Sequence, residues 1–338
     1  MNTRNHKLEE YLKQAKEYIP EIKTSSVFSM YNPGIHPEAK SGKIELSGSF
    51  LNERALSKGK IQFAHYTSLR NAMNILNTGS IRLYNCLNLN DPNEIKYLLD
   101  KSPIEFSDVE INVYKREHFI LSGSLIQPEE VEDYNLWRLY GDNCKGISIV
   151  FEINKTLKNW TSVYLQEVNY ERDNKSWLYD YLKFHKEFNE QYQLFQNKPQ
   201  LFALLSAGVK NEIWSIEKEF RIVIRNPFDE YSLDSNETLH SNGVISPTLK
   251  HEFNSIGKLV SYVELPLHLN GRKSEKTTLP FSKIEVDLID YVPHLKIKKI
   301  IFGPNSPIKN KEDFFHYELW AKSKIKYDYE VSMSKYKL

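Results

Sequence analysis

The sequence predicts an α+β protein, with helices packed on a twisted and mostly antiparallel sheet, and three stretches carry that prediction. Ile61 to Leu83 reads as strand, helix and strand in succession. Ile147, Ile149, Phe151 and Ile153 alternate with polar or smaller residues, the period of a half-buried strand. Trp177, Tyr181, Phe184, Phe188, Tyr192 and Phe195 recur every three or four residues, which is the period of a helix with an aromatic stripe.

In chain order, Leu8, Tyr11, Leu12, Ala15 and Ile19 form an amphipathic helix that Pro20 stops and that needs a surface to cover. This helix and the polar stretch to about residue 60 make a helical N-terminal extension (1–60) ahead of the main domain (61–338). Ile61 to His65 forms a short strand. Thr67 or Ser68 then caps a helix with Leu69, Ala72, Met73 and Leu76 on one side, and Gly79 stops it before a second strand at Ile81 and Leu83. Asn90 to Glu94 is a polar turn. Phe119 to Ser124 is strand-like, with Ser122 and Ser124 on one face. Leu136 to Tyr140 makes one helical turn that Gly141 ends. A helical insertion occupies about 174–210: the aromatic helix from Ser176 to Asn197, then an apolar helix between Pro199 and Gly208. Ile213 to Ile224 follows as a strand, with Phe220, Ile222 and Ile224 on one face and Glu217, Glu219 and Arg221 on the other. A further strand lies near Leu259 to Leu265. Ile297 to Phe302 reads as a central strand ended by Gly303-Pro304, and a helix with an edge strand, Ile325 to Val331, closes the fold.

Composition limits the function classes. The chain has 338 residues, with 45 Lys and Arg against 44 Asp and Glu for a net charge of +1, so any nucleic-acid or membrane affinity has to come from a local patch. From Tyr291 onward lysines outnumber acids, which reads as a solvated rim or, alternatively, a nucleic-acid contact surface. Hydrophobic residues make up 40% and aromatics 13%, which excludes wholesale disorder. Cys86 and Cys144 show no C-x-x-C spacing, which points to a reducing, cytoplasmic setting without a cysteine zinc site. There is no apolar leader or membrane span, so no membrane partner is expected. G-x-G-x-x-G, Walker and G-x-S-x-G patterns are missing, which argues against Rossmann, P-loop and serine-hydrolase chemistry.

Glu217 and Glu219 are the sharpest chemical feature. Two apart on a strand, they would sit about 6.6 Å from one another on one face and form a polar row with Arg221. Such a row fits a solvated strand face. It also fits carboxylates that bind a sugar hydroxyl and stabilise an oxocarbenium-like state. His65 at a strand-to-helix turn can donate to a ribose hydroxyl or a pyrophosphate, with Thr67 adding a hydroxyl, or it can be a surface histidine beside an ordinary cap. Trp137 and Tyr140, three apart, share a helix face and can stack on a flat cationic ring or pack in the core. His65, Asp91, Glu94 and His118 lack metal-site spacing, so no metal is expected.

Three segments taken together resemble the domain-of-unknown-function 2971 family, over roughly residues 61 to 336. They are His65-Tyr66-Thr67-Ser68 with Ile75-Leu76, Gly79 and Ile81-Arg82-Leu83; Asn90-Asp91-Pro92 with Glu94; and Trp214 before Glu217-Lys218-Glu219-Phe220-Arg221. The His65-x-Thr67 turn, the helix ending in Ile75-Leu76-x-x-Gly79, the Ser122-x-Ser124 strand and the late Glu217-x-Glu219 strand are similar, more remotely, to the ordered motifs of ADP-ribosyltransferases. That resemblance implies a split sheet and NAD as substrate. It implies that His65 holds the adenosine ribose with Tyr66 and Thr67 beside it. Arg82, Asn90, Asp91, Ser122 and Ser124 would complete the dinucleotide site. Trp137 or Tyr140 would pack on nicotinamide, Glu219 would bind the ribose 2′-hydroxyl and Glu217 would orient the acceptor. The implied activity is transfer of ADP-ribose to a protein or nucleic acid, as a toxin or phage-defence effector with room for a neutralising or sensing partner protein. NAD hydrolysis and a non-catalytic nucleotide- or nucleic-acid-binding sensor are the alternatives.

Overall fold

The computed structural model describes residues 3–20, 22, 24–25, 45–46, 51, 54–55, 59–89, 95–126, 131–153, 163–171, 177–194, 201–225, 249–254, 256–267, 276–278, 285–287, 295–308, 310–325 and 327–336. Its first half holds helix α1 (Thr3–Tyr18), strand β1 (Ile61–Thr67), α2 (Leu69–Thr78), β2 (Ser80–Asn85), α3 (Lys96–Lys101), α4 (Asp108–Glu117), β3 (His118–Leu125), α5 (Tyr134–Leu139) and β4 (Ile147–Ile153). There follow β5 (Val163–Glu167), β6 (Asn169–Glu171), α6 (Trp177–Tyr192), α7 (Leu201–Ser206), β7 (Val209–Asn211), β8 (Glu219–Arg225), β9 (Lys250–Phe253), β10 (Leu259–Pro266), β11 (Lys296–Phe302), α8 (Lys311–Lys324) and β12 (Glu330–Met333). The protein is therefore mixed α and β.

One 10-stranded sheet runs β9-β10-β2-β3-β1-β4-β11-β12, with β8 joined to β3 and β5 joined to β8. Its pairings are antiparallel except β11 with β12. Strand β3 is a branch point. Strand β8 lies along one edge of it, from Glu219 opposite Ser124 to Arg225 opposite His118. The other edge is shared: β2 pairs with Phe119 and Ile120, whereas β1 pairs with Ser124 and Leu125. Leu121, Ser122 and Gly123 lie between, at a fork where β1 and β2 part.

The fork follows from the connection. Both β1 and β2 are antiparallel to β3, hence parallel to each other, and parallel neighbours need a crossover. Helix α2 supplies it. The Ser68 side chain caps the helix by accepting from the Asn71 N–H at 3.2 Å, and Gly79 stops it in the left-handed region at φ 66. Ala72 and Leu76 are buried against Phe63, Leu83, Phe151 and Phe220 in the main core.

The opposite face of the sheet is covered in two parts. Helices α1, α6 and α7 pack over Ile120 and Val223, and α5 packs over Ala64, Tyr66, Val150 and Ile301. The aromatic stripe of α6 is helix packing. Tyr11 of α1 stacks on Phe184 at 5.2 Å, and its hydroxyl meets Tyr181 at 3.0 Å and His185 Nδ1 at 2.8 Å.

Two sequence expectations need correction. The stretch expected as a strand from Ile213 is a 3-10 turn, Glu212–Glu217, followed by Lys218 in the left-handed region at φ 44, and the strand begins only at Glu219. The edge strand expected from Ile325 is β12, because Ile325 still caps α8 through its N–H to the Ala321 carbonyl at 3.1 Å. Strand β9, with no buried residue, carried too weak a pattern to be expected.

Candidate functional site

A cavity of about 660 Å³ opens at the fork and is lined from both of its arms. From β1 come Ala64, His65, Tyr66 and Thr67; from β2, Arg82 and Tyr84; from β3, Ile120 to Ser124. Helix α2 adds Asn71, Asn74 and Ile75. The far wall is Tyr140, Lys210, Trp214, Glu217 and Glu219. Residues remote in sequence, His65, Ser122 and Glu219, therefore face one space.

His65 lies within β1, not at its end, and its Nδ1 is 3.0 Å from the Ser122 carbonyl oxygen. A carbonyl can only accept, so Nδ1 carries the proton. Burial lowers the imidazole pKa and favours the neutral ring. Nε2 of that tautomer is an acceptor, which reverses the donor role expected of His65 towards a hydroxyl. Tyr66 reaches the cavity but is core-like: its ring meets Trp137 edge-on at 4.9 Å and its hydroxyl accepts from the Asp133 N–H at 3.0 Å. Arg82 meets Glu252 at 2.5 Å and lies over the Tyr262 ring at 4.3 Å.

The acidic wall is ion-paired. Lys210 Nζ is 2.9 Å from Glu217 and 2.9 Å from Glu219. Arg221 grips Glu219 with two hydrogen bonds, Nε at 2.8 Å and Nη2 at 3.0 Å, and also donates to the Ala207 carbonyl. The Tyr140 hydroxyl donates to Glu217, and the Tyr170 hydroxyl accepts from the Glu219 N–H at 2.8 Å. Burial by itself would push the Glu219 carboxyl up, but Arg221 and Lys210 together hold it well below the ordinary range, so it is ionised. Glu219 is thus an anionic carboxylate held by buried cations, a pre-organised acceptor of hydrogen bonds.

Several sequence expectations are revised here. Glu217 and Glu219 do reach one cavity, although not as neighbours on a strand face: Glu217 ends the 3-10 turn and Glu219 begins β8, with the left-handed Lys218 between. Arg221 is 0% exposed and sits behind Glu219, not in the lining. Trp137 cannot stack on a ligand, because it is 0% exposed and its indole N–H donates to Glu132 at 3.1 Å. Of the two, it is Tyr140, 43% exposed, that lines the cavity. Asn90 and Asp91, with Glu94, lie outside the described residues. The lysines of β11 are engaged, Lys299 with Glu330 at 2.7 Å, Lys298 with Glu152 at 4.0 Å and Lys296 over the Tyr327 ring.

Lys210 was missed, as were Asn71 and Asn74. A lysine on a strand of three residues has no sequence mark that separates it from a surface lysine, and the two asparagines read as the polar side of α2. Among the described residues no group of His, Cys, Asp and Glu is arranged to hold a metal ion. Nor is any helix among them long and apolar enough to cross a membrane.

Fold and site together define a class: a mixed α/β protein whose mostly antiparallel sheet opens at a fork into one cleft with a buried acidic wall. Residues 136–222 are similar to the family model described as Protein of unknown function (DUF2971). This stretch spans α5 to β8 and so includes Tyr140, Lys210, Glu217 and Glu219, but not His65 or Ser122. Comparison with curated proteins and with solved structures finds no match.

Proposed function

We propose that the protein transfers ADP-ribose from NAD to a macromolecular acceptor. The observation that carries this reading is the convergence of His65, Ser122, Glu217 and Glu219 on a single cavity at the fork of the sheet. Its volume, about 660 Å³, lies within the ordinary range for small-molecule sites. In this reading the neutral His65 accepts a hydrogen bond from a ribose hydroxyl at Nε2, while Arg82 lies nearby as a cation for the pyrophosphate. Glu219 accepts from the 2′-hydroxyl of the other ribose.

The bond between that ribose C1′ and the nicotinamide nitrogen breaks, and its electron pair leaves with neutral nicotinamide. Glu219, fixed as an anion by Arg221 and Lys210, stabilises the oxocarbenium-like sugar. The acceptor nucleophile then bonds to C1′ and gives up its proton, with Glu217 placed to take it. Tyr140 supplies the ring beside nicotinamide.

Incubation of the protein with NAD labelled in its ADP-ribose part and cell extract tests this reading. Label is expected in protein or nucleic acid with the wild type and not with Glu219→Ala. Equal labelling with both would remove Glu219 from the mechanism, and NAD left intact by the wild type would sink the reading.

A further inference from the structure

We propose that Lys210 is a positioning residue of this site, a single buried ammonium that holds Glu217 and Glu219 as a pair turned towards the same cavity. The inference rests on the NAD reading only for its consequence in turnover; its geometric part stands by itself. Lys210 lies on β7, which pairs in parallel with β6 and belongs to neither arm of the fork. From there it reaches both carboxylates at hydrogen-bond distance.

The local backbone explains why such a tie is needed. Between the two acids the chain leaves a 3-10 turn, passes through the left-handed Lys218 and enters β8, so no regular element fixes one side chain relative to the other. Around Lys210 stand Glu217 from the turn, Glu219 from β8 with Arg221 behind it, the Trp214 ring at 5.6 Å, and the hydroxyls of Tyr140 beyond α5 and Tyr170 on β6. Two buried carboxylates this close repel each other and lose solvation, which favours protonation of one of them. Arg221 offsets this for Glu219, which it grips with two hydrogen bonds. Glu217 has Lys210 and the Tyr140 hydroxyl. Lys210 thus keeps the second carboxylate in place without entering the bond-making itself.

The consequence is asymmetric. Removing the ammonium leaves Glu219 anchored to Arg221, so the dinucleotide is still held, whereas Glu217 loses its cation and the acceptor step suffers. Lys210→Met is therefore expected to lower kcat for macromolecular labelling at neutral pH by about tenfold or more, as misplacement of a reacting group does, while the KM for NAD changes little. Lys210→Arg, which restores a cation able to span two carboxylates, should recover most of the loss.

A second measurement does not depend on NAD. The carboxyl carbons of Glu217 and Glu219, followed by NMR at neutral pH, report the pair directly: the Glu217 signal should move in Lys210→Met and return in Lys210→Arg, while the Glu219 signal changes less. An unchanged Glu217 signal in Lys210→Met would overturn the positioning role, whatever the turnover result. A moved Glu217 signal in a protein that leaves NAD intact would instead sink the NAD reading and leave the positioning role standing. Should Lys210→Met fail to fold, Lys210→Gln, with polar atoms to fill the buried site, serves for the same comparison.

Discussion

The imidazole of His65 donates from Nδ1 to the backbone oxygen of Ser122 across 3.0 Å, and that oxygen belongs to the part of β3 that neither β1 nor β2 pairs with. A side chain thus supplies a donor at the point where the sheet divides. The same bond sets the tautomer of the ring and turns Nε2 into an acceptor. Structure at the fork and chemistry in the cavity are coupled through one histidine.

His65→Ala should therefore show two effects. The hydrogen bond to the Ser122 carbonyl is exposed, so its loss costs about 0.5–1.5 kcal/mol, and chemical denaturation reads this out. The second effect concerns ligand. NAD is expected to raise the melting temperature of the wild type and not that of His65→Ala, since only a ligand held by the folded state stabilises it. An equal rise in both proteins would exclude His65 as a contact.

Glu217 and Glu219 should separate in their effects. Glu219→Gln is expected to abolish both labelling of macromolecules and release of free ADP-ribose. Glu217→Gln should reduce labelling more than NAD cleavage, so the ratio of free ADP-ribose to labelled acceptor rises. Chromatography of the products gives that ratio directly, and an unchanged ratio in Glu217→Gln would count against a role in the acceptor step.

Gly146→Ala tests the packing that holds the cavity wall. A Cβ there would lie 2.1 Å from the Thr67 carbonyl oxygen and 3.0 Å from that of Gly141. Both obstacles are backbone, so neither can rotate aside, and overpacking of this kind costs about 1–3 kcal/mol or more. Thr67 ends β1 just before the cap of α2, so the shift should reach the site as well. A lower denaturation midpoint together with weaker NAD-induced stabilisation is expected.

Stability should fall as the solution is acidified. Burial pushes His118 and His185 down to about 4 from an ordinary 6.5, so the folded state keeps both rings neutral while the unfolded chain takes up protons. Their contribution is complete above about pH 6.5 and is lost progressively as pH falls towards 4. Glu219, whose folded-state pKa is depressed, adds a further loss below its ordinary value of 4.5. Melting temperatures across this range should drop for the wild type and decline less steeply for His118→Gln and His185→Gln. A flat wild-type profile would contradict the assignment of neutral buried rings.

Legibility followed the range of the interactions involved. The cap at Ser68, the stop at Gly79 and the apolar side of α2 are set within a few residues, and they stand in the structure where the sequence places them. Spacing misled at Trp137 and Tyr140. Three apart, they share a helix face only while the helix continues, and α5 ends at Leu139. Tyr140 therefore turns to the cavity while Trp137 stays in the core. The left-handed Lys218 was equally hidden, because a lysine between two glutamates in an alternating stretch looks like strand.

The sequence by itself determined the class of fold, most of the strands and helices, and which polar residues deserved attention, because hydrophobic period and helix capping act locally. Tertiary structure alone decided that β1 and β2 share one edge of β3, that a cavity opens between them, and that Lys210 and Arg221 tie down the carboxylates. Those outcomes depend on which distant segments meet, and the energies that choose among such pairings belong to burial and charge in the assembled protein, not to any short run of residues.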